Sequence, residues 1–363
     1  MSINNIVNIK TKNSEIFLGE NVFSLLSEYL RTYESSKIFI LVDENTLEHC
    51  VPTLLLENKA LHNAEIIEID SGEENKALDI CCQLWKTLAD YKADRSSLLI
   101  NLGGGVITDM GGFVASTYKR GIDFINIPTT LLSQIDASVG GKTGVDFEGL
   151  KNVVGVFNEP KGVFIYPNYL QTLDKREMLS GYAEALKHAL IKDAKYWSKL
   201  DSGMLSDVSN WKELIITSIN IKNDIVMNDP YEKGERKLLN FGHTIGHAIE
   251  SYSLVHDQNP LYHGEAIAIG MICESFISKN KNGLTAGGLK SVAGTICSLY
   301  KPYQLDDSTY HELIELMKND KKNEGSAINF TLLSKIGEAN FNQEVDVELI
   351  LESLNYYNHL NRD

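Results

Sequence analysis

Three histidines within 21 positions carry the clearest chemical signal in the sequence. His243 and His247 are four residues apart in NFGHTIGHAIE (Asn240–Glu250), which reads as a helix, and His263 follows just before an apolar helix. A spacing of four places both side chains on one helical face. Thr244 stands where the zinc-protease motif H-E-x-x-H has its glutamate, so the general base of a hydrolase is missing. Three ligands with an open fourth position are typical of catalytic zinc, so spacing alone predicts the three histidines as ligands.

A glycine-rich stretch offers a different chemistry. INLGGGVITDMGGF (Ile100–Phe113) reads as a strand, three glycines and the start of a helix, an arrangement that lets backbone N–H groups approach a phosphate. Thr108 occupies the third glycine position of G-x-G-x-x-G, so a plain strand-to-helix turn is an equal alternative. SGEENK (Ser71–Lys76) and IPTTLLSQ (Ile127–Gln134) also follow strands, where ligands gather in open α/β sheets. Together they favour nucleotide binding.

Two further segments concentrate charged side chains. DASVGGKTGVDFEGLKN (Asp136–Asn152) reads as a loop, either a solvated surface turn or an anion site formed by Lys142, Lys151 and Arg120. SGYAEALKHALI (Ser180–Ile191) reads as a helix in which Glu184, Lys187 and His188 fall within little more than one turn. Taken alone, this helix is best interpreted as a solvated face with an ion pair, and His188 as a packing residue.

The elements that must position these side chains change character along the chain. Strand patterns at Lys37–Asp43, Ala64–Asp70, Ser96–Gly105 and Phe124–Pro128 alternate with helical stretches such as Asn75–Tyr91. This alternation predicts a parallel α/β sheet. From about Asp174 to about Lys281 only helical periodicity is evident, and a weak strand pattern returns at Ala327–Leu333. The sequence therefore predicts an N-terminal α/β domain over residues 1–174 and a mainly helical domain over residues 175–363.

Composition narrows the class of partner. The formal charge of −15 argues against nucleic acid, although a local basic cluster could still bind an anionic substrate. No apolar run approaches the roughly 18 residues of a membrane helix, and the start lacks a signal-peptide pattern. Five scattered cysteines without CxxC suit reduced thiols, which predicts a cytoplasmic protein with no membrane partner.

Taken together, these segments resemble the 3-dehydroquinate synthase family of sugar-phosphate cyclases. GGGVITD, DASVGGKTGVD, AEALKHA, RKLLNFGHTIGHAIE and HGEAIAIGM occur in the expected order, and the resemblance runs from about Asp43 to Lys322. It implies a Rossmann-like NAD-binding domain, a helical metal-binding domain, an active site in the cleft between them, and a homodimer.

The resemblance also implies a ligand set that differs from the one predicted by spacing. Glu184, His243 and His263 would bind one divalent metal, Zn²⁺ or Co²⁺, and His247 would handle protons or bind substrate. The implied reaction converts 3-deoxy-D-arabino-heptulosonate 7-phosphate to 3-dehydroquinate and phosphate. It proceeds by transient NAD-dependent oxidation, β-elimination of phosphate, re-reduction, ring opening and intramolecular aldol closure.

The remaining site residues come from the same resemblance. The implied NAD contacts are Asp43, Glu73, Lys76, Gly104, Gly105, Asp109, Thr129, Thr130 and Thr172, with Lys142 and Lys151 between cofactor and substrate. The implied substrate contacts are Asp136, Lys142, Asn152, Lys187, Lys222, Arg236, Asn240 and His247. Glu232 would orient its cationic neighbours, and Arg120 with Lys321 or Lys322 would hold the phosphate.

Three alternatives compete with this interpretation. Related cyclases, 2-epi-5-epi-valiolone synthase and 2-deoxy-scyllo-inosose synthase, use the same cofactors on substrates without a carboxylate. The presence of Lys222, Arg236, Asn240 and the lysines of DKKN (Lys321 and Lys322) favours the carboxylate substrate. A metal- and NAD-dependent polyol dehydrogenase would release NADH and would not need so many anion-binding residues. A catalytically dead binding protein would not need to retain every expected polar residue.

Overall fold

The computed structural model describes residues 6–148, 150–200, 202–318 and 328–360. The chain divides into two compact units, Met1–Asp174 and Lys175–Asp363. The implied phosphate lysines Lys321 and Lys322 lie outside the described residues.

The first unit is organised by a seven-stranded sheet. The strands of this unit are β1 (Val7–Lys10), β2 (Glu15–Leu18), β3 (Ile38–Asp43), β4 (Glu65–Ile69), β5 (Leu98–Gly103), β6 (Asp123–Pro128), β7 (Lys142–Phe147), β8 (Leu150–Phe157) and β9 (Val163–Ile165). The strand order in the sheet is β1-β2-β9-β6-β5-β3-β4, and all neighbouring pairs are parallel except β1 and β2.

Helices cover both faces of this sheet, because its central strands are apolar on both sides. The helices are α1 (Val22–Leu30), α2 (Glu44–His49), α3 (Val51–Glu57), α4 (Leu78–Asp90) and α5 (Gly105–Thr117). Ile40 and Ile100 face one core with α1 and α3, whereas Phe39 and Leu99 face a second core with α4 and α5. The predicted parallel α/β arrangement is confirmed, with the strands at the predicted places.

The segment Asp136–Asn152 is not the loop that its glycines and charges predicted. Strands β7 and β8 form an antiparallel hairpin, with Lys142 opposite Phe157 and Val145 opposite Val154. Val145 is buried in the same core as α4 and α5, and the loop prediction missed this apolar face. Glycine is unfavourable in strands by propensity alone, but here Gly144 lies opposite Gly155 and lets the two backbones pair closely.

The second unit is mainly helical, as predicted. Its helices are α6 (Lys175–Lys192), α7 (Ala194–Trp197), α8 (Ser202–Ser206), α9 (Val208–Asn228), α10 (His243–His256), α11 (His263–Lys281), α12 (Ala286–Leu299), α13 (Tyr310–Lys318) and α14 (Val347–Leu360). A hairpin of β10 (Ile328–Lys335) and β11 (Glu338–Val345) contains the strand predicted near residue 330. Among the described helices, none combines the length and apolar character that crossing a membrane requires.

One helix boundary differs from the sequence-based prediction. The segment Asn240–Glu250 was expected to be helical throughout, but α10 begins at His243 and Asn240 ends a short 3₁₀ turn, Glu235–Asn240. Gly242 interrupts the helical backbone between these two segments with a φ of +80°, a conformation that side-chain-bearing residues rarely adopt. The break places His243 in the first turn of α10.

Candidate active site

Three helices of the second unit bring Glu184, His243 and His263 together. The Glu184 Oε1 atom lies 3.5 Å from His243 Nε2 and 3.4 Å from His263 Nε2, and the Glu184 side chain is fully buried. A tetrahedral ion with ligands at about 2.0–2.2 Å would hold its ligand atoms about 3.3–3.6 Å apart. The spacing of these donors therefore fits a divalent metal with one carboxylate and two imidazole ligands.

Close backbone approach explains how three helices can converge so tightly. A Cβ atom on Gly264 would lie 2.1 Å from the Ser180 carbonyl oxygen, and one on Gly270 would lie 2.0 Å from the Gly242 carbonyl oxygen. The Gly264 N–H also donates to Ser180 Oγ at 3.0 Å. Any larger side chain at these positions would push α11 away from α6 or α10 and separate the three donors.

A buried carboxylate on α11 fixes the start of α10. Glu274 Oε2 accepts from the Gly242 N–H at 2.7 Å, and Glu274 Oε1 accepts from the N–H groups of Thr244 and Ile245 at 3.0 and 3.2 Å. These are N–H groups that a helix start leaves without an intrahelical partner. Sequence reasoning missed Glu274, although an acid within the apolar stretch of α11 is itself a signal of a specific buried partner.

Both histidines of the cluster have their Nδ1 atoms engaged. His243 Nδ1 donates to the Phe241 carbonyl oxygen at 3.0 Å, and His263 Nδ1 lies 3.3 Å from Glu250 Oε2. Burial lowers the pKa of His263, but the carboxylates of Glu250 and Glu184 outweigh it and raise the pKa to about 9. The arrangement directs both Nε2 atoms toward Glu184.

The three-histidine ligand set predicted by spacing is less well matched by the geometry. The rings do cluster, with centroids 5.0 Å apart for His243 and His247 and 5.8 Å apart for His247 and His263. Within the second unit, however, ligand atoms close enough to share an ion combine His263 either with Glu184 and His243 or with His247 and Glu250. The geometry thus favours a set that contains a glutamate.

The helix that carries Glu184 is not the solvated face that its charges suggested. Glu184 and Lys187 form an ion pair, and both side chains are almost completely buried. His188 is fully buried as well, in line with a packing role. Packing of α6 against α9 and α11 overrides the local polarity of the sequence, and a buried ion pair of this kind points to a functional rather than a solubilising role.

The cations assigned to the substrate carboxylate are buried in the same unit. Lys222 on α9 is 6% exposed and Arg236 is 2% exposed. Arg236 Nη1 donates to the Pro230 carbonyl oxygen at 2.7 Å, and Asn240 Nδ2 donates to Glu232 Oε1 at 2.9 Å. This contact of Glu232 is with a neutral amide, so the implied orientation of cationic neighbours stays a prediction.

Asp229 organises the loop that presents Arg236, and sequence reasoning did not identify it. Its carboxylate accepts from the N–H groups of Lys233, Gly234 and Arg236 at 3.0, 2.6 and 3.1 Å. Burial raises the pKa of Asp229, but these three backbone bonds outweigh it and lower the pKa. An aspartate directly before Pro230 is typical of a turn and could have marked this loop.

A bidentate ion pair between Arg176 and Glu265 holds the segment around His263 at the start of α11. Arg176 binds both carboxylate oxygens of Glu265 at 2.8 and 2.7 Å and donates to the Pro260 carbonyl oxygen at 2.6 Å. Glu265 Oε2 also accepts from the Tyr262 N–H at 2.8 Å, which completes a capping box at the start of α11. Sequence reasoning missed this ion pair, because its two partners are 89 residues apart.

The residues assigned to NAD gather at one edge of the first unit's sheet. The sheet order reverses between β3 and β5, and ligands of open α/β sheets bind beside the carboxyl ends of strands at such a point. Asp43 ends β3, whereas Gly104 and Gly105 follow β5 and open α5. A Cβ atom on Gly104 would lie 3.1 Å from Thr130 Cγ2, and the Thr129 N–H donates to Gly103 O at 3.0 Å.

Two ion pairs connect other members of this set. Lys76 Nζ lies 2.6 Å from Asp109 Oδ2, and Lys151 Nζ lies 3.2 Å from Glu73 Oε1. Burial lowers the pKa of Lys76, but the Asp109 and Glu73 carboxylates outweigh it and the pKa is raised. Lys76 therefore stays a cation beside the start of α5.

The remaining assigned residues of the first unit are more dispersed. Thr172 ends a 3₁₀ segment that follows β9, and Asp136 lies in a π-helical turn after β6. Lys142 begins β7, and Asn152 has a left-handed backbone whose N–H donates to Asp146 Oδ1 at 2.6 Å. Arg120 is exposed beyond the carboxyl end of α5, so the structure does not group it with the residues at Gly105.

Asp43 shows how one carboxylate of this set is positioned. Its Oδ1 atom accepts from the Thr46 N–H at 2.7 Å and from Thr46 Oγ1 at 2.9 Å, and it caps α2. A cap restricts the carboxylate to the end of β3. Asp43 is thereby held at the sheet edge where the order of strands reverses.

Comparison with known proteins places this architecture in a family. Family models described as 3-dehydroquinate synthase N-terminal and C-terminal match residues 66–180 and 181–323. A curated 3-dehydroquinate synthase of Parabacteroides distasonis is 45% identical over 348 residues, covering 94% of this chain and 97% of the relative. Another from Clostridium botulinum is 40% identical over 340 residues, covering 92% and 96%.

Solved structures agree on the fold. A 2-deoxy-scyllo-inosose synthase complexed with carbaglucose-6-phosphate, NAD⁺ and Co²⁺ matches with a TM-score of 0.85 and 25% identity, covering 96% of this chain and 99% of that one. A 2-epi-5-epi-valiolone synthase from Streptomyces hygroscopicus with NAD⁺ and Zn²⁺ bound has a TM-score of 0.83 at 24% identity, covering 99% and 100%, which shows the fold alone. On the strength of both family models and these relatives, the chain belongs to the 3-dehydroquinate synthase family.

Proposed function

We propose that this chain converts 3-deoxy-D-arabino-heptulosonate 7-phosphate to 3-dehydroquinate and phosphate. The observation that carries the proposal is the cluster of Glu184, His243 and His263, in which Glu184 Oε1 lies as far from each Nε2 atom as the ligands of a tetrahedral divalent ion lie from one another. Curated relatives that are 36–45% identical over most of the chain bear the name of this activity.

The two units would hold different cofactors. NAD fits the sheet edge of the first unit, where Gly104 and Gly105 open the N-terminus of α5 for a pyrophosphate. Zn²⁺ or Co²⁺ fits the Glu184 cluster of the second unit. When bound, NAD would supply a reversible hydride acceptor, and the metal would supply a Lewis acid for substrate oxygens.

The chain's own residues then bind and orient the substrate. Lys222 and Arg236 are buried cations that would pair with its carboxylate, and Asn240 would add a neutral donor. His247 lies beside His243 on the same helix and would move the proton of a substrate hydroxyl. Lys187, paired with Glu184, would bring a positive charge next to the substrate oxygens.

The nearest alternatives are the cyclases and dehydrogenases that share this fold. An iron-containing alcohol dehydrogenase also matches the fold, with a TM-score of 0.68 at 15% identity. The carboxylate-binding set of Lys222, Arg236 and Asn240 favours the heptulosonate over sugar phosphates that lack a carboxylate. The proposed reaction eliminates phosphate without net oxidation of the substrate, whereas a dehydrogenase would oxidise its substrate and release NADH.

One assay tests both distinctions. Purified enzyme with substoichiometric NAD and Zn²⁺ or Co²⁺ is given the heptulosonate phosphate, and phosphate release and absorbance of NADH are followed together. We expect many phosphates per NAD and no build-up of NADH. NADH formed in proportion to product would support the dehydrogenase instead. Equal turnover of sedoheptulose 7-phosphate, which lacks the carboxylate, would place the enzyme with the valiolone-type cyclases.

We also propose a cytoplasmic location and a homodimer. All five cysteines are free thiols, which suits a reducing compartment. The dimer rests on the family resemblance, and light scattering on the purified protein would test it by giving about twice the chain mass of 40.5 kDa.

A further inference from the structure

Glu250 is a buried acid beside His263 that belongs to neither the proposed metal ligands nor the proposed substrate contacts. It lies on α10 seven residues after His243 and three after His247, so all three side chains share one helical face. Glu250 is 3% exposed, which is unusual for a carboxylate without a specific partner. Its Oε2 atom lies 3.3 Å from Nδ1 of His263.

The imidazole of His263 therefore lies between two carboxylates, one at each ring nitrogen. Glu250 faces Nδ1 at 3.3 Å, and Glu184 faces Nε2 at 3.4 Å. Either carboxylate can accept from a ring N–H, so the two contacts together hold the orientation of the ring. In the metal-bound protein Nε2 would be the ligating atom, and Nδ1 would then donate to Glu250.

We propose that Glu250 is a positioning residue for the metal centre, acting through His263. This inference rests on the proposed function, since it assumes that Glu184, His243 and His263 bind the metal. A carboxylate that accepts from the remote nitrogen of a ligating histidine fixes the ring and makes the ligating nitrogen more basic. Glu250 touches no reacting atom in this assignment.

A competing geometry makes the proposal falsifiable. Ligand atoms of His247, Glu250 and His263 also lie within 4.8 Å of one another, so Glu250 could be a ligand itself. Two features favour the positioning role. Glu184 is spaced from both Nε2 atoms as a tetrahedral ion requires, and Phe241 holds the Nδ1 of His243 in the same way that Glu250 holds that of His263.

The test is the substitution Glu250→Gln, which keeps size and shape but removes the charge. Zn²⁺ and Co²⁺ dissociation constants are measured on metal-free protein by competition with a chelator, without substrate. We expect binding weakened about 10–100-fold, as for other partners of metal-bound histidines. The visible absorption of the Co²⁺-loaded variant should remain that of the wild type, since the ligands are unchanged.

Glu312→Gln provides a matched control. Glu312 also contacts a histidine ring, with Oε1 3.0 Å from His256 Nε2, but both side chains are exposed. Its substitution should leave metal affinity unchanged. Unchanged affinity in Glu250→Gln would overturn the proposal. So would loss of metal as complete as in Glu184→Ala, or an altered Co²⁺ spectrum, because either result makes Glu250 a ligand.

Two precautions keep the outcome interpretable. If Glu250→Gln does not fold by circular dichroism, Glu250→Asp is measured against the same criteria, since it shortens the reach to His263 while keeping the charge. Phosphate release by the wild type is measured separately. Failure of the positioning role leaves that turnover intact, whereas failure of the proposed function appears as a wild type that binds metal but releases no phosphate.

Discussion

The buried carboxylate of Glu274 should contribute a measurable part of the stability of the second unit. In Glu274→Gln, the amide oxygen can keep the two bonds from Thr244 and Ile245 that Oε1 makes now. The amide nitrogen replaces Oε2 and faces the Gly242 N–H. Both groups are hydrogen-bond donors, so the 2.7 Å hydrogen bond from Gly242 to Oε2 is lost.

The magnitude follows from these three bonds. A buried N–H without an acceptor costs about 1–3 kcal/mol, and the two remaining bonds each lose about 1 kcal/mol when the acceptor is no longer charged. The neutral amide is cheaper to bury than a carboxylate, which offsets part of this loss. We expect a net decrease of about 2–3 kcal/mol in the free energy of unfolding. For a unit of this size, that corresponds to a Tm lowered by about 4–12 °C.

Differential scanning calorimetry on metal-free protein measures the effect without a contribution from metal binding. Glu213→Gln is the control, because Glu213 is an exposed acid 2.9 Å from Lys199 and its loss should leave Tm unchanged. A Glu274→Gln protein with the same Tm as the wild type would refute the reasoning, since it would mean that the three N–H groups need no charged acceptor. Metal affinity should also fall, because His243 directly follows Gly242.

Three further predictions address the cofactors and the substrate. Glu184→Ala and His263→Ala should lose the metal, whereas His247→Ala should keep it and lose turnover. Elemental analysis decides, and metal loss in His247→Ala but not in Glu184→Ala would favour the three-histidine set. Arg236→Met should slow turnover of the heptulosonate phosphate by roughly 10–100-fold, because a charged hydrogen bond is worth about 1.5–3 kcal/mol. Turnover of sedoheptulose 7-phosphate should change little, and an equal loss on both substrates would contradict a carboxylate role. Gly104→Val should weaken NAD binding, measured by calorimetry, because its side chain would meet Thr130. Unaltered NAD affinity would show that the glycine turn at Gly104 is not part of the cofactor site.

Local pattern was sufficient for much of the fold. The strands β3, β5 and β6 are largely apolar runs, and such runs form buried parallel strands where helices cover both faces of the sheet. The hairpin of β7 and β8 escaped prediction because its glycines and charges mimic a loop. Its pairing depends on Val145 packing under α5, a contact that no window of local sequence contains.

The sequence by itself determined which chemical groups the chain carries and the order of the segments that hold them. Spacing identified His243, His247 and His263 as candidate ligands, and the resemblance put Glu184 in the place of His247. Tertiary structure decided which of these side chains lie together. The Glu184 carboxylate meets His243 and His263, 59 and 79 positions away, within 3.5 Å because Gly264 and Gly270 allow helix backbones to touch. Helical periodicity relates only neighbours within a few turns, so it favoured His247, the near partner of His243, over the distant Glu184. Burial likewise turned the apparent surface pair of Glu184 and Lys187 into part of the site, because exposure is set by packing between helices and not by the residues of one helix.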